Sequence, residues 1–196
     1  PKGGLLILDL QSMAATRVPN VKSVFVPTRG GAWAAWLEEP APGAKPPSGE
    51  GDSRPVYGTS LVLRDLARGT DRAFADAVDV AFARDGRTLL YTVSSRTEAD
   101  NGVYAVTPGS SGAPTALAHG AGKYARLAWN RAQTQAAFVT NRDDQSSAVP
   151  RFAVYRWTRG QPSASAVVNG ATPGFPSEMA VSDKAALAFS RDGSRL

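Results

Sequence analysis

Short runs of alternating apolar and polar residues recur along the chain. They come in pairs, and the two runs of a pair are separated by a short turn sequence, which we call the turn phrase. The clearest pair flanks Asp85-Gly86. Apolar residues take alternate positions on both sides of this turn: Val78, Val80 and Phe82 before it, and Leu89, Tyr91 and Val93 after it. A period of two is typical of strands, and Asp-Gly favours a tight turn because glycine reaches positive φ without steric cost. The pattern therefore predicts an antiparallel hairpin.

The same phrase marks four places in the sequence. Gly31, Gly86 and Gly193 occupy its turn position, and Gln133 takes that position in a degraded copy over 127–138. The copies are spaced by about 50 residues, and loop insertions account for the variation. A period of this size is typical of the four-stranded blade of a β-propeller.

Two further strands are predicted in each repeat. Third strands are expected at 61–66, 102–109 and 152–160, with a similar element at 5–10, and short fourth strands near 72–75, 115–118 and 165–168. We therefore predict an all-β fold, a β-propeller fragment of four-stranded antiparallel blades with about three full blades plus partial blades at both ends. The expected segments are the end of one blade at 1–20, full blades at 21–77, 78–120 and 121–170, and the start of the next blade at 171–196. Residues 73–80 also fit a helical period, and this alternative stays open.

Three polar stretches, 39–55, 94–101 and 140–150, interrupt the strand pattern. Each falls between the second and third strands of a blade, so alternating strand direction places all three on one face, opposite the Asp-Gly turns. Elaborated loops on one face are typical of a binding surface. The candidate substrate- or partner-facing residues in these loops are Arg96, Glu98, Asp100, Arg142 and Asp143. The alternative is that these charges are only solvated.

Composition narrows the classes of function. The chain has 196 residues, of which 42% are hydrophobic and 20% charged, an ordinary balance for a globular protein. Its net charge of +5 comes mostly from arginines that are scattered singly, without a basic stripe, so nucleic-acid binding is not expected. No apolar run approaches the roughly 18 residues of a membrane span. The absence of cysteine excludes disulfides and thiolate metal sites within these residues.

The sequence offers no set of catalytic residues. It has no Gly-x-Ser-x-Gly motif, and its single histidine, His119, lies beside Gly120 at a predicted blade-to-blade connection. Asp143-Asp144 lacks the spacing of a calcium loop, so we expect no metal site and no cofactor. The four tryptophans, Trp33, Trp36, Trp129 and Trp157, fall in predicted strands and are expected to pack between blades.

The phrase Phe82-Ala83-Arg84-Asp85-Gly86-Arg87-Thr88-Leu89 resembles the propeller repeats of the TolB-like and prolyl oligopeptidase families. The stretches 58–66 and 181–193 favour the second family. Together they look like the N-terminal propeller of large bacterial prolyl-oligopeptidase-like serine peptidases.

This resemblance implies a non-catalytic segment, because the Ser-Asp-His triad of that family lies on a separate C-terminal α/β-hydrolase domain. The segment would gate or orient peptide substrates, with the hydrolase domain of the same chain and the peptide as its partners. A periplasmic or secreted location follows from the resemblance alone. The repeat that breaks off after Gly193 leads us to expect a fragment of a longer protein. The alternative is a stand-alone TolB-like propeller that acts as a protein-binding module.

Overall fold

A computed structural model describes residues 3–40 and 56–196, so most of the predicted insertion at 39–55 lies outside the described residues. The described residues form thirteen strands and two single 3₁₀ turns. The strands are β1 (Gly4–Leu8), β2 (Ala15–Pro19), β3 (Val21–Phe25), β4 (Trp33–Glu38), β5 (Thr59–Asp65), β6 (Thr70–Phe82), β7 (Leu89–Val93), β8 (Gly102–Val106), β9 (Thr115–His119), β10 (Tyr124–Trp129), β11 (Gln135–Thr140), β12 (Ala153–Thr158) and β13 (Ser165–Val168). The 3₁₀ turns cover Glu98–Asp100 and Arg142–Asp144. No helix in the described part of the chain is long and apolar enough to span a membrane.

Neighbouring strands pair antiparallel in sequence order, which builds four-stranded blades. The first blade comprises β3, β4, β5 and the first half of β6, and the second comprises the other half of β6 with β7, β8 and β9. The third blade is β10–β13, and β1 pairs with β2 in a hairpin of its own. The protein is therefore an all-β propeller segment of four-stranded antiparallel blades.

Strand β6 differs from its prediction. It is one continuous strand that belongs to two blades. Its first half pairs with β5 and its second half with β7, and the change of partner occurs at Ala77. Asp76 beside this point has a φ of 54°, which bends the strand. The fourth strand predicted near 72–75 is thus the first half of one long strand, and the helical alternative for 73–80 is wrong.

The repeated phrase forms the same turn three times. In each copy the first residue's N–H donates to the carbonyl five residues ahead, and the turn residue's N–H donates back to the first carbonyl. In the first copy the Ala83 N–H lies 2.8 Å from the Thr88 carbonyl, and the Gly86 N–H lies 2.9 Å from the Ala83 carbonyl. The corresponding two distances are 2.9 and 3.1 Å in the copy with Asn130, Gln133 and Gln135. Both are 2.9 Å in the copy with Ser190, Gly193 and Arg195. The φ angles of the turn residues are 69°, 60° and 75°. The prediction that Gln133 takes the glycine position is confirmed, although this conformation costs a residue with a side chain about 1–2 kcal/mol.

The first blade departs from the phrase. There the positive φ, 103°, belongs to Gly30 and not to Gly31. The loop between β3 and β4 is longer than the other turns. The residue with positive φ therefore lies one position earlier than predicted.

The last segment also departs from its prediction. The turn at Gly193 forms, but Val181 makes only a single bridge, to Phe152, and no strand is present over the described residues 171–196. Local hydrogen bonds suffice to close the turn, whereas a strand needs a partner along its length.

A central strand is buried on both faces where its blade packs between two neighbouring blades. All five residues of β7 are buried. Leu89, Tyr91 and Val93 point into the cluster between the first and second blades, and Leu90 points into the cluster between the second and third. The tryptophans pack in such clusters as predicted, with Trp36 at 2% exposure. The core therefore lies between the blades, and the strand ends carry the polar surface.

The turn geometry yields a matched test with glycine-to-alanine variants. Gly86 and Gly69 have similar φ angles, 69° and 67°. A Cβ on Gly86 would lie 3.0 Å from Pro27 Cγ, and a Cβ on Gly69 would meet nothing within 4 Å. We expect Gly69→Ala to lower the free energy of unfolding by about 1–2 kcal/mol through strain alone. Gly86→Ala should lower it further, because it also presses on the preceding blade. Urea denaturation measures both, and an equal or smaller loss at Gly86 would contradict this packing.

Candidate functional site: the loop face of the second and third blades

Two loops and one connection meet at the end of the strands away from the Asp-Gly turns. We call this surface the loop face and define it by residues 94–101, 120–123 and 141–150. The Asn101 side chain donates from Nδ2 to the Gly122 carbonyl at 3.2 Å, and the Lys123 N–H donates to Asn141 Oδ1 at 2.8 Å. A Cβ on Gly122 would lie 3.0 Å from the Arg142 Cα. The connection is therefore clamped between the two loops, and a side chain there would push them apart.

The second-blade loop is held by its own polar groups. Asn101 Oδ1 accepts the Ser95 N–H at 2.6 Å, and the Tyr104 hydroxyl donates to the Asp100 carbonyl at 2.7 Å. The Arg96 guanidinium lies 5.5 Å from the centre of the Tyr57 ring, at cation–π distance. Backbone and amide groups thus fix the loop, which leaves the charged side chains on its outside.

The third-blade loop uses its charges internally. Arg142 Nε lies 3.4 Å from Asp143 Oδ1, and the Tyr155 hydroxyl donates to Asp143 Oδ2. Asp144 accepts the Arg151 N–H at 2.7 Å and the Ser147 hydroxyl. The side chains of Arg142 and Asp143 keep 34% and 52% of their exposure, so both still reach solvent.

The five predicted site residues thus fall into two groups. Arg142 and Asp143 are in direct contact with each other. Arg96, Glu98 and Asp100 are exposed on the neighbouring loop. Among the described residues no hydrogen bond or ion pair joins the side chains of one group to those of the other, and Gly122 links the two loops.

Tyrosines beneath the loops are the part of the site that sequence reasoning missed. Tyr104 and Tyr155 occupy the same position in the third strands of consecutive blades, and Tyr124 begins β10. Each hydroxyl donates to the loop face, and the Tyr124 hydroxyl does so to the Gly120 carbonyl at 3.0 Å. The recurring pair Val103-Tyr104 and Val154-Tyr155 was the signal that could have identified two of them.

Burial and charge perturb two of these tyrosines strongly. Burial raises the pKa of Tyr124 to about 12, although the nearby Arg142 guanidinium works in the opposite direction. Burial also raises the pKa of Tyr155 to about 12, and the hydrogen bond to Asp143 with its negative charge adds to the effect. Both hydroxyls are therefore neutral donors at physiological pH and hold the loop backbone and the Asp143 carboxylate in place.

The single histidine lies at the edge of the loop face, next to Gly120. His119 is the exposed last residue of β9, opposite Gly102 in the strand register. Across residues 3–40 and 56–196 no three His, Asp or Glu side chains converge on a possible metal position. The loop face can thus offer hydrogen bonds and charges of both signs to a polar ligand.

Comparison with known proteins gives similarity at the level of structure. No family model matches the chain, and no curated protein matches it. It is similar to the β-propeller domain of the Trilobed protease from Pyrococcus furiosus, with a TM-score of 0.48 and 10% identity over 74% of this chain and 41% of that one. A prolyl endopeptidase gives a TM-score of 0.48 and 20% identity over 85% of this chain and 25% of that one. TolB from Acinetobacter baumannii gives 0.41 and 16% over 83% and 37%. The chain thus spans less than half the length of each of these structures.

Tyrosine ionisation tests the contact between Asp143 and Tyr155. Asp143→Asn removes the negative charge and keeps a hydrogen-bond acceptor, so the pKa of Tyr155 should fall below about 12. Near-ultraviolet titration of tyrosinate measures this, and subtraction of the Tyr155→Phe curve isolates Tyr155 in each background. An unchanged midpoint would show that Asp143 does not control this hydroxyl.

The same pKa values predict how stability depends on pH. The folded pKa values of Tyr124 and Tyr155, about 12, lie above the ordinary value of 10.0. The folded state therefore holds two protons that the unfolded chain releases earlier, and their stabilisation is present in full below pH 10. It should be lost as the pH rises from 10 towards 12. Urea denaturation should show a steeper loss in the wild type than in Tyr155→Phe, and equal slopes would contradict the assignment.

Proposed function

We propose that this chain is a non-catalytic propeller segment of a larger serine peptidase, in which the loop face gates or orients peptide substrates for a separate α/β-hydrolase domain. The observation that carries the proposal is the clamp at Gly122. It fixes two charged loops from consecutive blades in one relative position. A surface whose backbone is fixed before binding loses less conformational entropy on binding a peptide than a mobile one does.

The two groups of charged residues have different roles in this proposal. Arg96, Glu98 and Asp100 are exposed, and they contact the peptide through its termini and charged side chains. Asp143 is a positioning residue, because it is held by Tyr155 and Arg142. Arg142 retains part of its guanidinium surface and offers a second cation to the peptide.

The peptidase half of the proposal rests on the resemblance of the Asp-Gly phrase and of residues 58–66 and 181–193 to prolyl-oligopeptidase propellers. In that family acyl transfer is carried out by a nucleophile, a base and oxyanion donors on the hydrolase domain. The propeller contributes by restricting which peptides arrive there and in which orientation.

A fluorophosphonate probe tests the catalytic assignment. We expect no labelling of the 196-residue chain alone, and labelling of the complete gene product at a serine outside residues 1–196. Labelling of the chain alone would overturn the non-catalytic assignment. A folded complete gene product that stays unlabelled would overturn the peptidase assignment and favour a stand-alone TolB-like binding module.

Charge removal on the second-blade loop tests the role of the loop face. In the complete gene product, Arg96→Gln, Glu98→Gln and Asp100→Asn together should lower kcat/KM for charged peptides by roughly three- to tenfold, as expected for the loss of a few exposed charge pairs. Hydrolysis of a small ester should be unchanged, because such a substrate needs no orientation by the propeller. The control variant is Lys22→Gln with Arg156→Gln, on strands β3 and β12. Equal losses in both variants, or none in either, would refute the role.

A further inference from the structure

The opposite end of the strands carries a second organised surface, which we call the turn face. It comprises the three repeated turns at 83–88, 130–135 and 190–195. Consecutive turns touch, since the Arg84 N–H donates to Gln133 Oε1 at 2.8 Å and a Cβ on Gly193 would lie 3.2 Å from Asn130 Nδ2. The backbone carbonyl of Arg84 also accepts the Arg29 N–H at 2.7 Å. The turns therefore hold one another in a fixed row.

An arginine occupies the second position of every turn in this row. These residues are Arg84, Arg131 and Arg191, and all three are exposed. None of them forms an ion pair with another of the described residues.

The carboxylates of the turn face are already engaged. Asp85 is paired with Arg159 from the third blade at 3.0 Å. Asp192 accepts the hydroxyls of Ser190 and Ser194, which lowers its pKa to about 2. The turn face is left with an excess of positive charge.

The three arginines line one groove. Its volume is about 630 Å³, and its other lining residues include Trp129, Leu187 and Phe189, each half-buried. The groove thus combines three guanidinium groups with an apolar wall.

We infer that the turn face binds an acidic peptide segment, with its carboxylates paired to Arg84, Arg131 and Arg191 and an apolar side chain against Trp129 and Phe189. A guanidinium binds a carboxylate through two parallel hydrogen bonds, and each of the three turns presents one such group to the groove. The apolar wall favours a partner that carries apolar side chains among its acidic ones.

The same geometry argues against a nucleic acid as the occupant. Phosphate recognition draws its affinity from many contacts along a backbone, and the groove offers three arginines. This inference does not depend on the loop face or on the proposed peptidase.

Fluorescence anisotropy with defined peptides tests the inference on the full chain. The probe is the peptide Glu-Phe-Glu-Glu-Phe-Glu carrying a neutral dye, and the comparison is the same peptide with glutamine in place of glutamate. A single-stranded oligonucleotide of equal charge serves as the polyanion arm. The test variant is R84Q/R131Q/R191Q, and R17Q/K22Q/R156Q removes the same charge from exposed residues elsewhere.

We expect the acidic peptide to bind and the glutamine peptide to bind much more weakly. The test variant should bind the acidic peptide about tenfold more weakly, while the control variant changes by less than about threefold. Added salt should weaken binding because the sites are exposed. Equal loss in the two variants, or oligonucleotide binding as tight as that of the acidic peptide, would overturn the inference. The thermal midpoint of the test variant, compared with that of the control, separates lost binding from lost folding.

Discussion

The burial of the faces at which neighbouring blades meet is the constraint on which the rest of this structure depends. A strand packed between two other blades cannot place a charged side chain on either face without a cost of several kcal/mol. Strand β7 meets this condition with the run Leu89–Val93, whose residues go alternately to the cluster before and the cluster after the blade. The loops and turns at the ends of the strands therefore carry much of the polar surface, and they form the loop face and the turn face.

The relative position of the blades is fixed by polar contacts at those ends as well as by the apolar clusters. On the turn side, Arg72 donates to the carbonyls of Ser110 at 2.7 Å and Gly112 at 2.6 Å in the next blade. On the loop side, Asn101 and Asn141 clamp the connection between the second and third blades. Apolar packing has little directional preference, whereas hydrogen bonds do. The end contacts thus set the register of one blade against the next and with it the geometry of both surfaces.

Much of the fold could be predicted from the sequence, because the repeated phrase reports local backbone geometry. The turn closes through hydrogen bonds among six successive residues, so even Gln133 could be placed correctly without knowledge of its neighbours. Asp9 and Asp65 follow the same pattern, because each carboxylate accepts two N–H groups of the turn after it. This supports the prediction that β1 and β5 are equivalent strands of successive blades. The sharing of β6 between blades could not be predicted, since it depends on a bend at Asp76 that lies within a continuous strand and is not marked by a turn sequence.

The candidate site was harder to predict because its contacts join residues that are distant in the sequence. Successive strands of a blade run in opposite directions, so the sequence could assign Arg96 and Arg142 to loops at the same end of the strands. Their partners could not, because the Tyr155–Asp143 contact and the Gly122 clamp join residues brought together by the packing of blades. The two ends of the strands also differ in how freely they can vary. The short turns close through backbone hydrogen bonds, which recur in each repeat, and three turns carry arginine at the same place. The longer loops are held by side-chain contacts that differ from blade to blade, so the turn face presents a repeated charge and the loop face an irregular one.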